Sequence, residues 1–173
     1  MTRKLAGLVC WLANLWIVML PVAVLYTAVD FNLFQGLARE KLTLAIQWST
    51  VAHWQWLALW LLTVAYLGIG YLGVINLRCA FVSFARGQWF NADNSRYLRA
   101  FSLLLIAQAC AKPVHHALAS VLLSWQHAPG TRILSIAFDS DTLVLLASGL
   151  VMWVMSDLLV VGMRADAENK QFV

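Results

Sequence analysis

The chain has 173 residues, of which 62% are hydrophobic and 12% charged, and its formal net charge is +4 at pH 7. A soluble domain carries about 25% charged residues, so water cannot be the only solvent for this much apolar surface. The composition therefore excludes most soluble enzymes and binding domains, and the length leaves no room for a second, soluble domain.

Four apolar segments predict four membrane-spanning helices. Each is long enough for a hydrocarbon core of about 30 Å, which takes about 20 helical residues at ~1.5 Å per residue. We predict an all-α integral membrane protein, a single domain over residues 1–173 folded as a four-helix bundle. The predicted spans are residues 5–29, 54–77, 100–125 and 142–163, joined by a cytoplasmic loop 78–99 and outer loops 30–53 and 126–141.

The distribution of basic residues predicts the orientation. If the N-terminus is cytoplasmic, eight Lys and Arg residues lie inside and three lie outside, which places both termini in the cytoplasm. Because these residues flank the spans rather than forming one stripe, nucleic acid is not an expected partner. The inner residues are Arg3, Lys4, Arg78, Arg86, Arg96, Arg99, Arg164 and Lys170, and the outer ones are Arg39, Lys41 and Arg132.

The first apolar segment is longer than the core of a secretory signal, so we expect an uncleaved span. Pro21 removes a backbone donor within it and predicts a kink or local unwinding. The following outer loop alternates apolar and polar residues from Leu42 to Trp48, yet a lone strand would have no partner for its edge. We expect a short interfacial helix or a lid there. Trp48, Trp54, Trp56 and Trp60 predict an aromatic belt at headgroup level.

The second span contains the glycine pattern GxGxxG over residues 68–73. A dinucleotide site needs a strand before this pattern and an acidic residue about 20 positions later. The pattern here lies inside an apolar helix, so we interpret Gly68, Gly70 and Gly73 as sites of close helix approach.

The loop before the third span carries a recognisable motif. Gly87 can supply a turn, Asn91 is a suitable N-cap, and Asp93 is favourably placed in the first helical turn. The stretch from Ala85 to Asn94, ARGQWFNADN, followed by Leu98-Arg99, resembles the signature of the bacterial domain-of-unknown-function 2975 (DUF2975) family. The residues that carry the resemblance are Gly87, Phe90, Asn91, Asp93, Asn94 and Arg99.

This resemblance implies a small four-span protein of the bacterial inner (cytoplasmic) membrane. It supplies no catalytic residues, because the family has no assigned activity. Some relatives are encoded beside small helix-turn-helix regulators, which implies a regulatory role.

The third span carries the polar residues Lys112, His115 and His116 near mid-membrane, and Asp157 is the acidic residue within the fourth. A charge at the bilayer centre costs about 3 kcal/mol, so it usually faces a partner or a cavity. We hypothesise that Lys112 pairs with Asp157 in a helix that Pro113 bends. The alternative is that the four polar side chains line a proton or ion path.

No arrangement of nucleophile, base and acid, no phosphate loop and no metal-spaced cluster occurs in the sequence, so we expect no enzyme and no cofactor. Cys10, Cys79 and Cys110 lack metal-ligand spacing. The favoured function is a non-enzymatic sensing, regulatory or accessory component in the lipid bilayer, acting through a second copy or another membrane or regulatory protein. One alternative is a small oligomeric transporter or channel subunit that uses the polar cluster. The other is a haem or quinone electron carrier.

Overall fold

The structure is a computed structural model that describes residues 2–42, 46, 48–88, 91–127 and 132–169. These residues form five α-helices and one short 3₁₀ turn, with no strand among them, so the predicted all-α class is confirmed. The helices are α1 Thr2–Val29, α2 Phe31–Lys41, α3 His53–Ala85, α4 Ala92–Leu123 and α5 Ser140–Asn169, and the 3₁₀ turn is Trp48–Thr50.

Three of the described helices have the length and composition of membrane spans, namely Lys4–Val29 in α1, His53–Ala85, and Ser140–Ala165 in α5. α4 has a comparable length of 32 residues but carries more polar side chains, including Lys112. The fourth span therefore stays a prediction. α1 is a continuous helix through Pro21, so the alternative of local unwinding there is wrong.

α4 packs between α3 and α5, and α1 packs against α3. Glycines lie at two of these helix contacts. A Cβ on Gly73 would lie 3.5 Å from the Phe101 ring, and a Cβ on Gly149 would lie 2.7 Å from Ile106. A Cβ on Gly70 would likewise lie 2.7 Å from the Gln108 side chain, so close helix approach is confirmed for Gly70 and Gly73. It is wrong for Gly68, because nothing lies within 4 Å of a Cβ built there.

One end of the bundle, called here the α2 end, has its own hydrophobic cluster. α2 lies within the predicted first outer loop, and Asp30 caps it by accepting a hydrogen bond from the backbone of Leu33. It ends before the stretch from Leu42 to Trp48 for which a short helix or a lid was expected, and residues 43–45 and 47 of that stretch lie outside the described residues. Gln55 is fully buried and joins α3 to the end of α4 by donating to the carbonyl of Leu122 at 2.6 Å. The cluster consists of Phe34, Ala38, Leu42, Ile46, Trp56, Leu59, Ala119 and Leu123.

Two tryptophans predicted for the aromatic belt instead pack within this end. The rings of Trp48 and Trp56 stack at 5.8 Å, and the Arg39 guanidinium lies over both. Trp56 is only 3% exposed, so it cannot reach lipid headgroups, and the belt prediction is wrong for this residue. Trp54, by contrast, is exposed.

At the opposite end, the connection between α3 and α4 is shorter than the predicted loop, because α3 continues to Ala85 and α4 begins at Ala92. Gly87 has a φ of 83°, a left-handed conformation that favours glycine. The predicted cap is confirmed, since the Asn91 side chain accepts from the Asp93 backbone at 3.1 Å. The buried Asn94 donates to the carbonyl of Gln88 at 2.6 Å and closes the turn.

Phe90 and Lys170 lie outside the described residues. Arg99 links α4 to α5, because its guanidinium lies 4.9 Å above the Trp153 ring. A second hydrophobic cluster, Ala6, Ala80, Phe84 and Leu98, joins α1, α3 and α4 at this end.

Candidate ligand-binding cavity

The segment that enters α5 runs in extended form beside the last turns of α4; residues 132–139 are called here the strap. Two serines of α4 hold its backbone. The Ser124 hydroxyl accepts from the Ile133 N–H at 3.1 Å, and the Ser120 hydroxyl accepts from the Ser135 N–H at 3.0 Å. Because Ser120 and Ser124 are four positions apart, they share one face of the helix and take the place of a partner strand.

The strap ends at an ion pair with Lys112. The Lys112 ammonium donates to both carboxylate oxygens of Asp139, at 2.8 and 2.7 Å, and contacts Asp141 at 3.4 Å. Asp139 also accepts from the backbone and hydroxyl of Thr142, so it caps the start of α5. Its hydrogen bonds with Lys112 and then Thr142 hold the pKa of Asp139 well below its ordinary value. This cluster fixes the start of α5 to the side of α4.

The predicted pair between Lys112 and Asp157 is not formed. Asp157 follows Asp141 by 16 positions, which is about 24 Å of helix directed away from Lys112. The hypothesis treated residues 126–141 as an outer loop that does not pack along α4. In the structure the strap folds back along α4, so α5 begins at the level of Lys112 and Asp157 lies exposed near the other end.

His115 faces α3 from the next turn of α4. Its Nε2 lies 3.2 Å from the Thr63 hydroxyl, and its ring lies 5.2 Å from that of Tyr66. The Thr63 hydroxyl makes a shorter contact, 2.9 Å, with the carbonyl of Leu59, which takes its proton. We therefore assign Nε2 of His115 as the donor to Thr63, which leaves Nδ1 with a lone pair.

His116 faces the strap instead. Its Nδ1 lies 3.0 Å from the carbonyl oxygen of Ser135, which can only accept, so Nδ1 carries the proton. Nε2 of neutral His116 is then an acceptor. Lys112, His115 and His116 thus line the same cavity, whereas Asp157 does not.

These three side chains line one part of a cavity of about 470 Å³ between α1, α2, α3, α4 and the strap. Most of its wall is apolar, which suits the tail of an amphipathic molecule. The polar groups are Thr27, Lys41, Thr63, Tyr66, Lys112, His115, His116, Asp139 and Asp141, and the apolar wall includes Leu20, Val24, Leu37, Leu59, Val64 and Leu67.

Sequence reasoning missed Asp139 and Asp141 as members of this cluster. A signal for them exists, because an Asp three residues before Thr142 at the start of an apolar run is a helix-capping pattern. Within the described residues no group of three or more His, Cys, Asp and Glu side chains could hold a metal ion, and the three cysteines are free thiols.

The profile of the family described as "Protein of unknown function (DUF2975)" matches residues 42–173. No curated protein and no solved structure matches the chain. The matched region begins directly after α2, so the α3, α4 and strap walls of the cavity lie inside it, and the α1 and α2 walls precede it.

Proposed function

Because this chain belongs to the DUF2975 family of proteins of unknown function, we propose its function from its cavity. The protein is a non-enzymatic component of the bacterial inner membrane that binds a small amphipathic molecule and signals its presence to a partner protein. The observation that carries this proposal is a cavity with an apolar wall and a cluster of polar groups, the usual form of a small-molecule site.

The proposed topology has four spans with both termini in the cytoplasm. The α2 end then faces outward and the α3–α4 connection faces inward, in agreement with the excess of basic residues near that connection. α4 crosses with α1, α3 and α5 because its first residues lie beside α3 at one end and its last residues join the α2 cluster at the other. Its polar side chains turn toward neighbouring helices, so a helix of lower hydropathy is tolerated.

Signalling would pass through α5. The first turn of α5 carries Asp141, which lines the cavity. Further along α5, Trp153 contacts Arg99 of α4 near the α3–α4 connection. A ligand that displaces the start of α5 would therefore move the contact between α5 and α4 at the inner end. The exposed Arg86, Gln88, Asp93 and Arg96 are the proposed docking surface for a partner.

The test fills the cavity and measures the partner contact. Val64→Trp places a large side chain into the cavity, and Leu61→Trp, an exposed site on the same helix outside the cavity, is the matched control. We expect Val64→Trp to change crosslinking between the inner connection and a partner at least about threefold in native membranes, measured by mass spectrometry, with wild-type yields for Leu61→Trp. Equal yields for all three proteins would refute the proposal.

An ion or proton path is less favoured than ligand binding. Such a path needs polar groups across the membrane, whereas Lys112, His115 and His116 lie together and Asp157 lies about 24 Å from Asp141 along α5. A proton flux in proteoliposomes that Lys112→Met abolishes would favour the transporter instead.

A further inference from the structure

We propose that the ligand of this cavity carries a hydroxyl head that donates a hydrogen bond to an imidazole nitrogen of His115 or His116. This inference rests on the proposed ligand-binding function and specifies the chemistry of the ligand. It follows from which atoms of Lys112, His115 and His116, at one part of the cavity wall, still have a free donor or acceptor.

The cation in the cluster has no donor left for a ligand. An ammonium group has three N–H donors, and Lys112 directs its contacts to two oxygens of Asp139 and one of Asp141. The group of Lys112 and the two aspartates carries one net negative charge. A carboxylate or phosphate head at this position would therefore meet repulsion rather than a free cation.

The two histidines offer acceptors. Nε2 of His115 is used by Thr63 and Nδ1 of His116 by Ser135, so the remaining ring nitrogens, Nδ1 of His115 and Nε2 of His116, have lone pairs. Neither nitrogen has a hydrogen-bond partner among the described residues, and neither is fully buried without one. A molecule that brings one O–H can satisfy one of these two nitrogens.

The apolar part of the cavity wall indicates the chemistry of the ligand's tail. Leu20 and Val24 of α1 face Val64 and Leu67 of α3 across it, so a hydrocarbon tail is expected beside these residues. A quinone or another carbonyl head would present only oxygen acceptors to the two imidazole lone pairs. A phenol or an alcohol fits both the wall and the acceptors.

Three probes of the same tail test this chemistry: 4-hexylphenol, its methyl ether 4-hexylanisole, and 4-hexylbenzoate. Binding to the full chain in lipid nanodiscs is measured by equilibrium dialysis, with empty nanodiscs correcting for partition into lipid. We expect 4-hexylphenol to bind at least about tenfold tighter than the ether, because only the phenol can donate to an imidazole, and the benzoate to bind more weakly than the phenol.

The double variant His115→Phe/His116→Phe keeps aromatic rings at both positions and removes both imidazole acceptors, so it should abolish the preference for the phenol over the ether. His53→Phe, whose ring contacts Phe31 outside the cavity, is the control and should keep the wild-type preference. Equal binding of phenol and ether would overturn the hydroxyl head while leaving the cavity function intact. Tightest binding by the benzoate, or binding by none of the probes, would also overturn it, and the crosslinking experiment tests the cavity function separately.

Discussion

At the scale of single residues, Lys112 shows what a sequence can and cannot predict about a charge among apolar neighbours. Its residue type and its position in an apolar helix were enough to predict a carboxylate partner. The identity of that partner depends on where α5 begins relative to α4, and the strap that sets this position has no helical or strand period of its own. Asp139 therefore pairs with Lys112, whereas Asp157 does not.

The ion pair gives an expected pH dependence. Because the pKa of Asp139 is lower in the folded protein than in the unfolded chain, its contribution to stability is complete above about pH 4 and is lost as the pH falls below that value. Asp139→Asn should lower the melting temperature at about pH 7, and the difference from wild type should shrink toward about pH 3. Thermal unfolding in detergent across this range measures both effects.

The control for this variant is Asp157→Asn. Asp157 is exposed and has no ion pair among the described residues, so its substitution should leave the melting temperature at neutral pH unchanged. A loss in Asp157→Asn as large as that in Asp139→Asn would contradict the pairing seen in the structure.

At the scale of helices, most elements could be predicted, because apolar length identifies spans and Asn91 marks a helix start. The ends of the helices could not be predicted, because a helix continues past the hydrophobic segment until a turn residue such as glycine ends it. α3, for example, continues to Ala85. A contact between α4 and α5 was predicted, but through the pair Lys112 and Asp157, which does not form. In the structure Gly149 lies at this contact, and no repeated glycine pattern marks it in the sequence.

Gly149 should tolerate no side chain. An added Cβ would lie 2.7 Å from the Ile106 side chain and 3.2 Å from the backbone oxygen of Ser102, so one of the helices must shift. Gly149→Ala is expected to lower the free energy of unfolding by about 1–3 kcal/mol, as overpacking does in a close contact. Denaturation in mixed micelles, followed by helical circular dichroism, gives the value.

Gly68→Ala is the matched control, because nothing lies within 4 Å of the position of its added Cβ. Alanine also favours helix by up to about 1 kcal/mol over glycine, so this variant should be neutral or more stable. If both variants lose the same stability, close packing at Gly149 is not the cause.

At the scale of the whole molecule, the basic residues predict an orientation that the helix packing alone does not give. The packing places the end of α4 beside α2 and its start beside the end of α3. If α1 and α3 cross the membrane, α4 must cross it too. The basic residues of the sequence predict the orientation, and the structure shows which connections lie at the same end of the bundle.

Cysteine labelling checks the topology. In a chain without its own three cysteines, Asn32→Cys and Arg132→Cys should react with a membrane-impermeant maleimide in intact cells with permeable outer membranes. Ser95→Cys should react only after the inner membrane is opened. Labelling of Arg132→Cys from the inside would mean that α4 does not cross, and the reverse pattern at all three sites would invert the orientation.

The position of α4 between α3 and α5 has a consequence for biosynthesis. α1 is apolar enough to enter the lipid from the insertion machinery without a partner helix. α4 carries Lys112 and two histidines, so its composition is less apolar than that of a typical membrane span. If α4 crosses the membrane as proposed, α3, which precedes it in the chain, offers Thr63 and Tyr66 to His115. Asp139 is synthesised 27 residues after Lys112. The Lys112 ammonium therefore lacks this partner in the nascent chain until the start of α5 has been made.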